Sequence, residues 1–282
     1  MKYIKIDNDT SLQACLNNWE QNKKKIIAID IEAESNLHQY GEKLCLIQVF
    51  DGTDKIIIDP LKIKQILIKK IFETTQILKI MYDARSDLSL LKNAHDIEIK
   101  SILDLRPAVE LLDYQKQDLH SIIETDLRIY FNKKKKYQKY NWTRRPLPAD
   151  VIEYALNDVI HLFKLKTAIF NKLIKKNLMD EYILRNILIQ TKDYKRSIEG
   201  KYERINGYKR LSKVEKIKAR RIYDIRNKHA KNLNMPPNNV LANTMLINVV
   251  KGTASIQGIT FPKRMSKEKI TRIVDELKEV MK

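Results

Sequence analysis

The run Ile26-Ile27-Ala28-Ile29-Asp30-Ile31-Glu32 decides how this chain is read. Its aliphatic residues mark a strand that should be buried. Two carboxylates at the end of such a strand are costly to desolvate unless cations neutralise them. Hard oxygen ligands suit Mg²⁺ or Mn²⁺, and a pair of such ions can bind both the attacking water and the leaving oxygen of a phosphodiester. An Asp-x-Glu also occurs at strand ends that merely meet a loop, so the pair needs support from elsewhere. Asp87, opening a helical stretch, offers one more carboxylate. Tyr154 and Asp158 offer a second group, four positions apart on a helix and therefore on one face. An aspartate there can complete a metal shell begun by Asp30, and a tyrosine hydroxyl one turn away can hydrogen-bond the water that attacks phosphorus.

Composition narrows the remaining classes. The 282 residues allow one large domain and one small one. Charged residues interrupt every apolar run well short of a membrane span, and the alternating start Met1-Lys2-Tyr3-Ile4-Lys5-Ile6-Asp7 reads as a strand, not a secretory leader. A cytoplasmic protein without membrane association is expected. Cys15 and Cys45 form neither a Cys-x-x-Cys nor a Cys/His cluster, which disfavours disulfide frameworks and zinc. The formal charge of +19 calls for a polyanion partner, nucleic acid first, although a lysine-rich surface alone could account for part of it. The excess is uneven: residues 1–194 hold 32 Lys and Arg against 27 Asp and Glu, whereas residues 195–282 hold 22 against 8.

Three short β-like runs, 26–31, 44–50 and 56–58, with Asp51-Gly52-Thr53-Asp54 as a turn, predict an antiparallel meander. Helical spacing over 63–72, an apolar run at 77–81, an amphipathic stretch at 87–92 and a strand at 101–105 continue the pattern. Helices follow over 109–112, 119–124 and 149–176. The sum is an α/β fold, a mixed sheet flanked by helices. From 133 to 147 periodicity gives way to Lys133-Lys134-Lys135-Lys136-Tyr137-Gln138-Lys139-Tyr140-Asn141-Trp142-Thr143-Arg144-Arg145-Pro146-Leu147. Cations interleaved with aromatic residues suit a single strand of nucleic acid, with Lys135, Lys136, Gln138, Trp142, Arg144 and Arg145 as candidate contacts. In the alternative, Trp142 and Pro146 only pin the next helix to the core.

The order of these words resembles the DEDD superfamily of 3′-to-5′ exonucleases, and within it the ribonuclease D family with the tyrosine form of the third motif. The first motif matches Ala28-Ile29-Asp30-Ile31-Glu32, with similar segments at 43–50 and 58–61. The second matches Met81-Tyr82-Asp83-Ala84-Arg85-Ser86-Asp87-Leu88. The third matches Trp142-Thr143-Arg144-Arg145-Pro146-Leu147 leading to Glu153-Tyr154-Ala155-Leu156-Asn157-Asp158. The resemblance implies a ribonuclease H-like domain of three antiparallel strands followed by parallel ones. It also implies two divalent ions held by Asp30, Glu32, Asp87 and Asp158, with Tyr154 positioning the water. By it, Asp30 bridges both ions, Glu32 and Asp158 complete the water-activating site, and Asp87 serves the second ion mostly through its water shell. The histidine subtype is excluded because residue 153 is Glu. The chain departs from the family at Ile31, where Thr is common, at Ala33, where an aromatic is common, and at Tyr82, where many relatives carry His. Weaker or altered gripping of the substrate is expected, with the chemistry intact. Asp104 reads as structural and Asp83 is open.

The last segment resembles the helical HRDC domain, through Ile217-Lys218-Ala219-Arg220-Arg221-Ile222-Tyr223 and Met235-Pro236-Pro237-Asn238-Asn239-Val240-Leu241. That implies an exonuclease domain over 1–192, a linker over 193–208, and a nucleic-acid-binding helical domain over 209–282 in which Arg220 and Arg221 are candidate contacts. The function implied is trimming of RNA 3′ ends, transfer RNA precursors included, by a monomeric enzyme that releases nucleoside 5′-monophosphates. A DNA 3′-exonuclease and an idle RNA-binding scaffold are the alternatives.

Overall fold

The computed structural model describes every residue except 132–136, 138, 197–200 and 264. The strands β1 (Ile4–Ile6), β2 (Ile26–Ser35), β3 (Glu42–Phe50), β4 (Lys55–Ile58), β5 (Leu78–Met81) and β6 (Ile102–Asp104) form one sheet in the order β1-β4-β3-β2-β5-β6. The predicted meander supplies its middle. Ile47 pairs with Ile58 and Phe50 with Lys55 in antiparallel register. The turn between them closes because the Asp51 carboxylate accepts the amides of Thr53 at 2.9 Å and Asp54 at 2.8 Å. Gly52 there takes a φ of 96°, a conformation that costs glycine least. β5 runs parallel to both β2 (Ala28 beside Ile80) and β6 (Met81 beside Asp104). Strands covered on both faces need apolar residues throughout, and Ile27, Ala28, Ile29, Ile80 and Met81 are all fully buried.

One face of the sheet packs against α1 (Asp9–Gln21), α2 (Gln65–Glu73) and α3 (Arg85–His95), through Leu12, Trp19, Ile68, Ile71, Phe72, Leu88 and Leu91. The other packs against α4 (Arg106–Leu111), α5 (Leu119–Leu127), α6 (Ala149–Ile160) and α7 (Leu162–Lys175). The helix expected over 149–176 is broken at His161, which separates α6 from α7. Two helices escape the sequence reading, α1 and α8 (Met179–Thr191). Lys79, on a central strand and fully buried, is satisfied by the carbonyl oxygens of Thr74 at 2.5 Å, Lys100 at 2.8 Å and Ile77 at 3.0 Å. Burial lowers its pKa to about 8.

The chain divides into two compact units, one of residues 1–33 and 43–195, the other of residues 34–42 and 196–282. The second is helical, with α9 (Lys213–Asn232), α10 (Pro237–Val240), α11 (Asn243–Val250) and α12 (Lys267–Met281). A capping box starts α9: the Ser212 hydroxyl accepts the Glu215 amide at 3.3 Å and the Glu215 carboxylate accepts the Ser212 amide at 2.7 Å. The 193–208 segment expected as a linker is partly core. Ile205 and Tyr208 are buried in this unit, and Tyr202 packs on Tyr208 and Tyr223 at 5.3 and 5.9 Å between centroids. Three large apolar residues spaced by three suffice to dock a short segment that lacks longer periodicity. The contribution of residues 34–42 to this unit has no signal in the sequence, because they connect two strands of the sheet.

Candidate active site

The site forms where the parallel strands end. Asp30 lies two residues past Ala28, and Glu32 follows on the same face of β2 because strand side chains alternate. Ile31 faces the other way and is buried in the core beneath α1 and α2. Asp158 reaches the same place from α6. The buried stripe of that helix is Val151, Ile152, Ala155, Leu156 and Val159, which leaves Tyr154 and Asp158 half-buried along its border, one turn apart. Carboxylate oxygens of Asp30, Glu32 and Asp158 all lie within 4.8 Å of one another. Three hard oxygen donors at this separation are suited to a divalent cation.

Asp87 stands in the first turn of α3, where unpaired helix amides favour a carboxylate. It is outside the tight cluster, yet its charge acts on both Asp30 and Glu32. The turn that delivers it is built on Asp104. That fully buried carboxylate accepts the amides of Asp83 at 2.8 Å, Arg106 at 2.9 Å and Ala84 at 3.0 Å. Asp104 is fixed in turn by Asn186, whose side-chain oxygen accepts its amide at 2.7 Å, and by the Tyr182 hydroxyl on its carbonyl at 3.0 Å. It is a structural anchor. Asp83 is exposed, with a φ of 57° and a carboxylate 3.7 Å from Arg106.

The electrostatics follow from crowding like charges away from water. Burial, then the charges of Asp87 and Asp158, push the Asp30 carboxyl well above the ordinary carboxylate range. Glu32 is raised by burial and then by Asp30, Asp158 and Asp87. Asp87 is pushed up to about 8 by burial and then by Asp104 and Asp83. The Tyr154 hydroxyl is raised by burial and by the charges of Asp158, Glu32 and Asp30, so it keeps its proton at neutral pH. An aromatic frame holds Tyr154: its ring lies 5.0 Å from that of Tyr137 and 6.1 Å from that of His120, nearly perpendicular to it. The Tyr137 hydroxyl donates to Asp150.

His120 is the residue that sequence reasoning missed. Its Nε2 is 3.0 Å from Oδ1 of Asp158, across 38 positions of sequence. No spacing rule links a residue on α5 to one on α6, so only the fold reveals the pair.

The basic tract resolves into two kinds of residue. Trp142 is only 4% exposed and belongs to the core, so its ring is not offered to a base. Arg145 spends its guanidinium internally: Nε and Nη2 donate to the Asp59 carboxylate at 2.6 and 2.7 Å, Nη2 also to the Cys45 carbonyl at 2.6 Å, and Nη1 to the carbonyls of Trp142 and Arg144 at 2.7 and 2.8 Å. Both therefore pin the 141–147 segment in place of the nucleic-acid contact expected of them. Arg144 is exposed, while Lys135, Lys136 and Gln138 lie outside the described residues. On α9, Arg220 and Arg221 are exposed, and Arg220 lies over the ring of Tyr202 at 5.7 Å. The clamp can be tested directly. Arg145→Ala strands the buried Asp59 charge and is expected to cost about 3 kcal/mol in a denaturant titration, with Asp59→Asn costing less.

Comparison with known proteins places the chain in a family. Residues 3–174 match a family described as 3′-5′ exonuclease, and the chain belongs to that family. It is 25% identical over 233 residues to ribonuclease D of Desulfotalea psychrophila, covering 80% of this chain and 61% of that protein. It is 27% identical over 176 residues to the exosome complex exonuclease RRP6 of Saccharomyces cerevisiae, covering 62% of this chain and 23% of that one. The chain thus spans less than two thirds of the length of either relative. The catalytic core of RRP6 from Trypanosoma brucei has the same fold, with a TM-score of 0.81 at 20% identity over 99% of this chain and 80% of that one. Among the described residues no helix is long and apolar enough to cross a membrane.

Proposed function

We propose that the chain is a metal-dependent 3′-to-5′ exoribonuclease of the ribonuclease D type, acting in the cytoplasm as a monomer on single-stranded 3′ ends of structured RNA such as transfer RNA precursors. The observation that carries this reading is the convergence of the Asp30, Glu32 and Asp158 carboxylates, with Asp87 acting on them and Tyr154 one turn from Asp158. These four carboxylates would hold two divalent ions, Mg²⁺ or Mn²⁺, which when bound stabilise negative charge on the attacking and leaving oxygens of a phosphodiester. The protonated Tyr154 hydroxyl orients the attacking water as a hydrogen-bonding partner and does not act as its base. Water adds to the terminal phosphorus, the bond to the 3′ oxygen breaks, and a nucleoside 5′-monophosphate leaves a shortened strand ending in a 3′ hydroxyl.

The helical unit fits an HRDC-like annex that grips RNA by charge. Arg220 and Arg221 are exposed on α9, and Arg144 offers a further cation on the nuclease unit. Replacing Arg220 and Arg221 together by Gln is expected to weaken binding to long single-stranded RNA. The slope of log affinity against log salt should fall by up to about 1.4, since each phosphate contact on a single strand contributes roughly 0.7. An unchanged slope in a filter-binding titration would remove both residues from the interface.

The test of the main reading is a digestion time course on 5′-labelled RNA and matched DNA with Mg²⁺, Mn²⁺ or chelator. A metal-dependent ladder shortening from the 3′ end of RNA supports it. A faster ladder on DNA would shift the assignment to a DNA exonuclease, because the carboxylates handle either sugar. Binding with no ladder on either would leave only the scaffold reading.

A further inference from the structure

His120 stands in the first turn of α5, whose start is fixed by the Asp118 carboxylate accepting the Ser121 amide at 3.1 Å. Its imidazole is held on three sides. It stacks on Phe131 with ring centroids 4.4 Å apart and an interplanar angle of 21°. It presents its face or edge to Tyr154 at 6.1 Å and 82°. Its Nε2 meets Asp158 Oδ1 at 3.0 Å, with both side chains 17% exposed. Phe131 in turn meets the ring of His161 at 5.7 Å between centroids and 64°. An ionised carboxylate can only accept, so Nε2 carries the hydrogen in this pair.

A carboxylate turns about a broad torsion with no strong staggered preference. On a helix border facing two other carboxylates, Asp158 would be expected to swing outward, away from Asp30 and Glu32. A donor on one of its oxygens stops that rotation, and the donor here is locked by ring packing. Resting on the metal-site reading above, we infer that His120 is a positioning residue for Asp158: it fixes the carboxylate in the orientation that completes the cation site. It works through Asp158, since its Nε2 is engaged there and its ring is stacked.

The consequence is a loss of metal affinity when the donor is removed, of about tenfold, as is common for groups that orient a ligand from behind. His120→Phe keeps an aromatic ring against Phe131 and removes the donor. His120→Gln keeps an N–H donor and removes the ring. The experiment is Mn²⁺ titration of metal-stripped protein, read by the electron paramagnetic resonance signal of free Mn²⁺, for wild type, both His120 variants and Asp30→Asn. Melting of the chelated proteins is followed in parallel.

The expected result is about tenfold weaker binding in His120→Phe, a clearly smaller loss in His120→Gln, which keeps the donor without its ring packing, and similar melting temperatures for His120→Phe and wild type under chelation. In steady-state assays the same loss should appear as a higher Mn²⁺ requirement, recovered at saturating metal. Wild-type affinity in His120→Phe, alongside lost binding in Asp30→Asn, would overturn the positioning role and leave the metal site standing. Equal weakening in His120→Phe and His120→Gln would also overturn it, because the donor would then not be the cause. Absence of Mn²⁺ binding in the wild type would overturn both.

Discussion

On the proposed function, Asp158→Asn and Asp30→Asn are each expected to leave a folded chain whose shortening of RNA falls by about 10³-fold. Both substitutions preserve shape and remove one formal charge from a cluster whose oxygens lie within 4.8 Å of one another. Loss of a bound cation forfeits several kcal/mol of charge stabilisation in the transition state. At about 1.4 kcal/mol per factor of ten, a loss of about 4 kcal/mol corresponds to roughly 10³-fold in rate. Tyr154→Phe should cost less, about 10- to 100-fold, because it removes one oriented hydrogen bond to water and leaves the carboxylates in place. RNA binding without metal should stay within a few-fold in all three, since none of these residues is cationic. A gel time course with matched binding measurements distinguishes the cases. An Asp158→Asn protein that retains more than a tenth of wild-type turnover would remove Asp158 from the site.

How much of this was legible in the sequence depends on how each residue does its work. Asp30 and Glu32 announce themselves because carboxylates in an aliphatic strand contradict their surroundings, and a contradiction of that kind points to a site. Tyr154 and Asp158 share a face by helix geometry alone. The sheet was legible because its central strands are aliphatic on both faces, whereas α1 was not, since only Leu12 and Trp19 of its thirteen residues are fully buried. Trp142 and Arg145 were misread for one reason: composition cannot tell an exposed cation or ring from one folded inward. Arg145 has a partner 86 positions away in Asp59, and no local pattern encodes that distance. His120 was invisible on the same ground, as its partner and its stacking ring are both nonlocal. The second unit's start was placed too late because Tyr202, Ile205 and Tyr208 act through packing on α9 and not through a regular period.

The carboxylate cluster should also make the metal-free protein less stable as pH rises. Asp30, Glu32 and Asp87 all have folded pKa values above those of the unfolded chain. Between about pH 4 and pH 8 the native state therefore holds more protons than the unfolded one, and unfolding stability falls with rising pH across that window. Lys79 adds the opposite slope only above about pH 8, where its folded pKa lies below its unfolded one. His161, lowered chiefly by burial, opposes the carboxylates near pH 6.5 and is common to every variant compared. Asp30→Asn removes one charge and relieves its neighbours, so under chelation at pH 8 it should stabilise the protein while abolishing turnover. A gain of about 2 kcal/mol, allowing for relaxation and solvent screening, corresponds to a melting temperature raised by roughly 4–8 °C. At pH 5 the gain should be much smaller, because the raised carboxyls of the wild type hold more of their protons there. Saturating Mn²⁺ at pH 8 should raise the wild type by about 2.7 kcal/mol at a hundredfold excess over its dissociation constant, and Asp30→Asn hardly at all. Thermal melts of both proteins at the two pH values, with chelator or Mn²⁺, separate these effects. A wild type that outlasts Asp30→Asn under chelation at pH 8 would mean that the cluster is neutralised by the protein itself and stores no repulsion for a cation to relieve.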